Sequence, residues 1–166
     1  MNRLIVKYAG YSTNKAYVAV DGQTLKFDKK GECAFETEKS AVTVSVFNVL
    51  EAASPSYYLW SILYFFVSVF GIFDSYRDFK CRRIEAEFIV RLSGENRITL
   101  RNRAFNKKGE SEGVSVECDC GCETVRNSQF TDKAARRRTL IMTAVRIAMF
   151  IGIIALIIVI AINARK

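Results

Sequence analysis

The sequence predicts a membrane protein of mixed α and β structure, in which two hydrophobic helices, both transmembrane, anchor small antiparallel β-rich modules. Three observations predict it. Ile147 to Ala164 is a run of eighteen uncharged residues, which at about 1.5 Å per residue approaches the roughly 30 Å hydrocarbon thickness of a bilayer. Ala52 to Phe73 is a second apolar run, twenty-two residues long and bracketed by Glu51 and Asp74. Outside both, short stretches alternate apolar and polar side chains with the period of a half-buried strand.

Composition narrows the function classes. The 166 residues allow one ordinary domain or two small ones, and a chain that is 50% hydrophobic and 25% charged is too apolar for a disordered tail. There is no His. That removes the commonest general base, the commonest metal ligand and the Ser/His and Cys/His nucleophile pairs together. No Gly-rich phosphate loop is present, and acidic pairs such as Glu36/Glu38 and Glu85/Glu87 lie on alternating strand faces where solvation explains them. The expectation is a non-enzymatic protein without a cofactor.

The chain divides into a β-rich module over 1–51, a first helix over 52–73, a basic β-rich middle module over 74–138, a second helix over 139–163 and a short tail over 164–166. In the first module, Arg3 to Tyr8, Lys15 to Val20, Gln23 to Phe27, Cys33 to Thr37 and Ala41 to Leu50 read as strands, with a two-residue Asp21-Gly22 turn between the second and third. Val42, Val44 and Val46 alternate with Thr43 and Ser45, so one face is buried and the other wet. No charged-then-apolar leader with a small-residue cleavage site lies in the first fifty residues, so both apolar runs are expected to persist.

The first helix is dense in aromatic residues, among them Trp60, which suit the headgroup interface, and Pro55 is tolerated in its first turn. In the middle module, Ile84, Ala86, Phe88, Val90 and Leu92 alternate with Glu85, Glu87 and Arg91, and a turn at Ser93 to Asn96 leads into Ile98 and Leu100, which reads as a hairpin. A further strand starts at Val114. Its continuation holds Cys118, Cys120 and Cys122 in the run ECDCGCE. The phase of Val114 and Val116 carries into these residues as small inward-facing apolar side chains. The alternative is a thiol-based metal or redox sensor, with the three thiolates beside Asp119 and Glu123 holding a soft ion. Alternate residues on a strand lie about 6.6 to 7 Å apart, so they close on one ion only if the strand breaks at Gly121. Five cysteines, an odd number, suit reduced thiols.

In the second helix Ala144, Ala148, Gly152 and Ala155 form a small-residue stripe of the kind that packs membrane helices. Arg146 is expected to snorkel to the headgroups, pairing with Asp74 being disfavoured because Arg146 points away from that stripe. Orientation follows from Arg77, Lys80, Arg82 and Arg83 after the first run and Lys133, Arg136, Arg137 and Arg138 before the second, which place 74–138 in the cytoplasm of a multi-pass protein of the plasma or inner membrane. The partners expected are anionic headgroups, a protein or a second copy of the chain, and not nucleic acid. If the first helix crosses once, the two strand sets lie on opposite sides. The alternative is one shared sandwich, with the first helix lying in or partly entering the membrane.

Overall fold

A computed structural model describes residues 1–9, 16–68, 80–105 and 109–164. The chain forms two compact units, Met1–Val49 with Arg82–Thr131 and Leu50–Cys81 with Asp132–Lys166.

The first unit is a two-sheet sandwich. Strands β1 (Asn2–Ala9), β2 (Ala16–Val20), β3 (Gln23–Thr24), β4 (Glu32–Thr37) and β5 (Ala41–Asn48) precede the first apolar run, and β6 (Arg82–Arg91), β7 (Glu95–Asn102), β8 (Val114–Cys118) and β9 (Cys122–Thr131) follow it. One sheet has the order β4-β1-β7-β8 and the other β3-β2-β5-β6-β9. Each sheet therefore mixes strands from both sides of the apolar run. The separate modules expected over 1–51 and 74–138 give way to one shared unit, because neither strand set buries its apolar face alone. A single buried cluster, including Leu4, Val18, Val44, Phe88, Ile98 and Leu100, joins the two sheets.

Local sequence explains most of the pairing. Asp21 and Gly22 have φ of 49° and 81° and close the β2–β3 hairpin, as an Asp-Gly pair favours. The Asp21 carboxylate accepts from the Thr43 N–H at 2.9 Å and from Lys39 Nζ at 2.6 Å. These contacts hold its pKa below the ordinary value of 3.8. Val42, Val44 and Val46 are buried as their alternation requires, and so are Val90, Phe88 and Ala86 opposite them and Ile84 beyond.

Two strand relationships differ from expectation. The turn after β6 does not close a hairpin: β6 and β7 belong to different sheets, and Gly94 (φ 74°) carries the chain between them. Asn96 Oδ1 accepts from the Ser93 N–H and Asn2 Oδ1 from the Gly94 N–H, which pins that corner to β1. Nor are the sheets wholly antiparallel, because β1 and β7 pair in parallel. Strands brought together from distant parts of the chain are free of the hairpin constraint that imposes antiparallel pairing.

The second unit holds a 3-10 turn over Glu51–Ala53, α1 over Tyr57–Val67 and α2 over Lys133–Asn163. Asp132 caps α2 by accepting from the Ala135 N–H at 2.9 Å. With 31 residues, α2 is the one helix among the described residues long and apolar enough to cross a membrane. The 11 residues of α1 span about 16 Å, roughly half a hydrocarbon core. Asp74 and Arg77 lie outside the described residues.

Candidate functional site

Three places gather polar or reactive side chains. The first is the turn between β8 and β9, where the strand breaks after Cys118 and resumes at Cys122. The break brings the Cys118 and Cys120 sulfurs to 2.6 Å, and the Cys120 N–H lies 3.4 Å from the Cys118 sulfur. An unbroken strand would have kept them apart. A thiol or carboxylate atom from each of Cys118, Asp119 and Cys120 falls within 4.8 Å of the others. Cys122 is exposed and lies outside that group.

Hydrogen bonds to both sheets hold the turn. Asp119 accepts from the Arg97 N–H through Oδ1 at 2.8 Å and donates its own N–H to the Arg97 carbonyl at 3.2 Å, while the Arg91 N–H donates to the Gly121 carbonyl at 2.8 Å. Cys118 and Cys120 are half-buried against the sandwich core. Burial, and then the neighbouring Cys118 sulfur, push the Cys120 pKa up to about 12, and burial also raises that of Cys122.

The second place is the seam between α1 and α2. Tyr57, Ser61 and Phe65 on α1, and Ala135, Thr139, Met142 and Arg146 on α2, are buried at helical spacing. Arg146, expected to extend toward the headgroups, is 3% exposed and buried in this seam. Its Nε donates to the Ser61 carbonyl at 3.2 Å, its Nη2 donates to the Ser61 hydroxyl at 2.5 Å, and its guanidinium lies 5.3 Å from the Tyr64 ring centre. Two Ser61 oxygens and the Tyr64 ring engage the cation within the seam. Ala144, Ala148, Gly152 and Ala155 are exposed, and a Cβ at Gly152 would meet nothing within 4 Å. The stripe does not pack α1, because the chain uses the opposite face of α2. A cavity of about 660 Å³ beside α1 is lined by Trp60, Ser61, Tyr64, Glu51 and Lys80 among others.

The described basic residues beside the apolar runs fall into four environments. Arg136 and Arg137 are exposed, whereas Arg138 donates to the Ala53 carbonyl at 2.9 Å. Arg83 pairs with Glu85 at 3.3 Å, and Glu85 pairs also with Arg126 at 2.6 Å. Arg82 belongs to the sandwich interior rather than to a membrane interface: it is 2% exposed, donates to the Arg103 carbonyl at 2.8 Å and lies over the Phe105 ring. Its place in the inward phase of β6, two residues before Ile84, signals that burial.

The third place is a cleft of about 620 Å³ lined by Arg103, Ser111, Glu112 and Gln129 among others. Gln129 Nε2 donates to the Ala104 and Glu112 carbonyls and to the Ser111 hydroxyl. Nothing in sequence marks Gln129, because β9 is an edge strand whose polar composition hides its register. Ser61 lies within the first apolar run, where nothing local marks it as the partner of Arg146.

No family model, curated protein or solved structure matches this chain.

Proposed function

We propose that this protein is a non-catalytic binding or scaffold module held at a membrane by α2. The observation that carries the reading is the solvent its second unit requires. Only 6% of the most apolar eighteen-residue window of α2 is buried. On α1, Leu59, Trp60, Leu63, Phe66 and Val67 are also exposed. Water penalises such a surface at roughly 25 cal/mol per Å², whereas lipid does not.

Sheet topology supports a particular arrangement. β5 and β6 are hydrogen-bonded neighbours, with the Asn48 side chain donating to the Arg82 carbonyl at 2.7 Å. The chain between them leaves one sheet and rejoins it, so a single crossing by the first apolar run would put paired strands in different compartments. We therefore prefer one crossing, by α2, with α1 lying in the membrane without crossing it. The exposed Arg136 and Arg137 at the start of α2 favour a cytoplasmic sandwich and attraction to anionic headgroups, each cation contributing about 1 kcal/mol. For a protein partner, β9 is the longest edge strand, 10 residues against 2 to 6 in the others, and outside its bridge from Gln129 to Ser111 it offers an edge for pairing with an added strand.

Single cysteines at the exposed positions Thr24 and Ser93, introduced by Thr24→Cys and Ser93→Cys in a Cys-free background, test this with a membrane-impermeant thiol reagent on sealed cells. Protection of both until lysis is expected. Labelling of one alone would restore two spans, and labelling of both without lysis would reverse the orientation.

A further inference from the structure

The turn that carries the chain from β8 in one sheet to β9 in the other is built more like a ligand site than a connection. Two sulfurs and a carboxylate converge within 4.8 Å on three consecutive residues. Backbone bonds from Arg91 and Arg97 fix the turn to strands of both sheets, so the donors start close together, and the two sulfurs at 2.6 Å have to part to admit an ion between them. The Asp119 Oδ1 already accepts from the Arg97 N–H, which orients the carboxylate in the manner of an outer-shell contact. Core residues back the sulfurs on one side, and solvent reaches them on the other. An apolar backing with an open face suits a soft ion that sheds its water readily.

We propose that the turn formed by Cys118, Asp119 and Cys120 binds a thiophilic metal ion, and that copper(I) is the ion it fits best. Donor number decides between the soft ions. Structural zinc takes four protein ligands, usually from two C-x2-C knuckles, and this turn offers three at most. Copper(I) is selected by thiolate ligands and is satisfied by fewer of them. Binding replaces two S–H bonds with two copper–sulfur bonds and releases two protons, with no change in oxidation state. Cys122 begins the next strand and is not a ligand. This site is independent of the membrane reading above.

The test is a competition between the reduced, detergent-solubilised full chain and a chromophoric copper(I) chelator. One copper(I) per chain is expected. Cys118→Ser and Cys120→Ser should each weaken binding at least roughly ten-fold, since even outer-shell changes at metal sites cost that much. Cys122→Ser and Cys33→Ser should leave it within about two-fold. Failure to take copper from the chelator, an equal loss in Cys122→Ser, or tighter retention of zinc than of copper would each overturn the assignment. Should a Ser variant misfold, X-ray absorption of the copper-loaded wild type decides: a sulfur-dominated shell supports the site, and a shell of nitrogen and oxygen overturns it.

Discussion

Strand β6 buries Ile84, Ala86, Phe88 and Val90 on one face and turns Arg83, Glu85 and Glu87 toward the other, while α2 buries four of its 31 residues and leaves Ile151, Ile154, Ile157 and Ile160 exposed. Both are rich in apolar side chains. The strand hides its apolar atoms against a second sheet, and the ionic ladder of Arg83, Glu85 and Arg126 faces outward. The helix has no protein partner for most of its length among the described residues. In one region the fold itself removes apolar surface from water; in the other the proposed function assigns that task to a bilayer. The same composition therefore predicts opposite mutational sensitivities.

The widest contrast sets Phe88 against Ile157. Phe88 is fully buried where the two sheets meet, so Phe88→Ala should cost about 3 to 5 kcal/mol and speed amide hydrogen exchange throughout β5 and β6. Ile157 is 59% exposed, and Ile157→Ala should change stability by no more than about 0.5 kcal/mol. Ile157→Asp should instead cost about 3 kcal/mol of insertion and release the protein from membranes in alkaline carbonate. If Ile157→Ala disrupts the fold as strongly as Phe88→Ala, the α2 surface is packed against protein and the comparison fails.

Between these extremes lies the seam of α1 and α2, where a charge is buried among neutral oxygens. Ser61→Ala removes the hydroxyl that Arg146 Nη2 uses and should cost about 1 to 3 kcal/mol, because the guanidinium stays behind without that acceptor. Adding Arg146→Met should recover most of the loss, since replacing both partners by apolar groups is often close to neutral. Trp60, the only Trp in the chain, adjoins Ser61 and reports the unfolding of α1 in lipid nanodiscs by fluorescence. A double variant no more stable than Ser61→Ala would show that Arg146 contributes through packing alone.

How much of this was legible depended on whether the signal was local. The alternation at Val42, Val44 and Val46 and the Asp21-Gly22 turn lie within a few residues, and both appear where the sequence places them. The pairing of β1 with β7 joins Arg3 to Glu95, and no short-range pattern encodes such a partner. The first apolar run reads as a span from its length, and its described part is helical over Tyr57–Val67. At the cysteine turn the residues were visible and the geometry was not: everything turned on whether Asp119–Gly121 breaks the strand. Arg146 was misplaced because its acceptor, Ser61, is 85 positions away.

The smallest effect concerns how the sandwich holds its most local feature. Asp21 sits at positive φ and its carboxylate ties the turn to Thr43 and Lys39. Asn tolerates that backbone, so Asp21→Asn removes the charge without straining the turn. At neutral pH the substitution should cost about 1 kcal/mol. The folded-state pKa is depressed, chiefly by the Lys39 contact and then by the Thr43 N–H. The carboxylate's contribution is therefore fully present above the ordinary value of 3.8 and is lost as pH falls through the lower folded value. Asp28, which accepts from the Lys30 and Glu32 N–H groups, is depressed as well, so total stability on acidification mixes the two. The difference between wild type and Asp21→Asn isolates one of them: it should be flat above about pH 5 and shrink toward zero below the folded pKa. A difference that persists in acid would mean that Asp21 acts through the shape of the turn rather than through its charge.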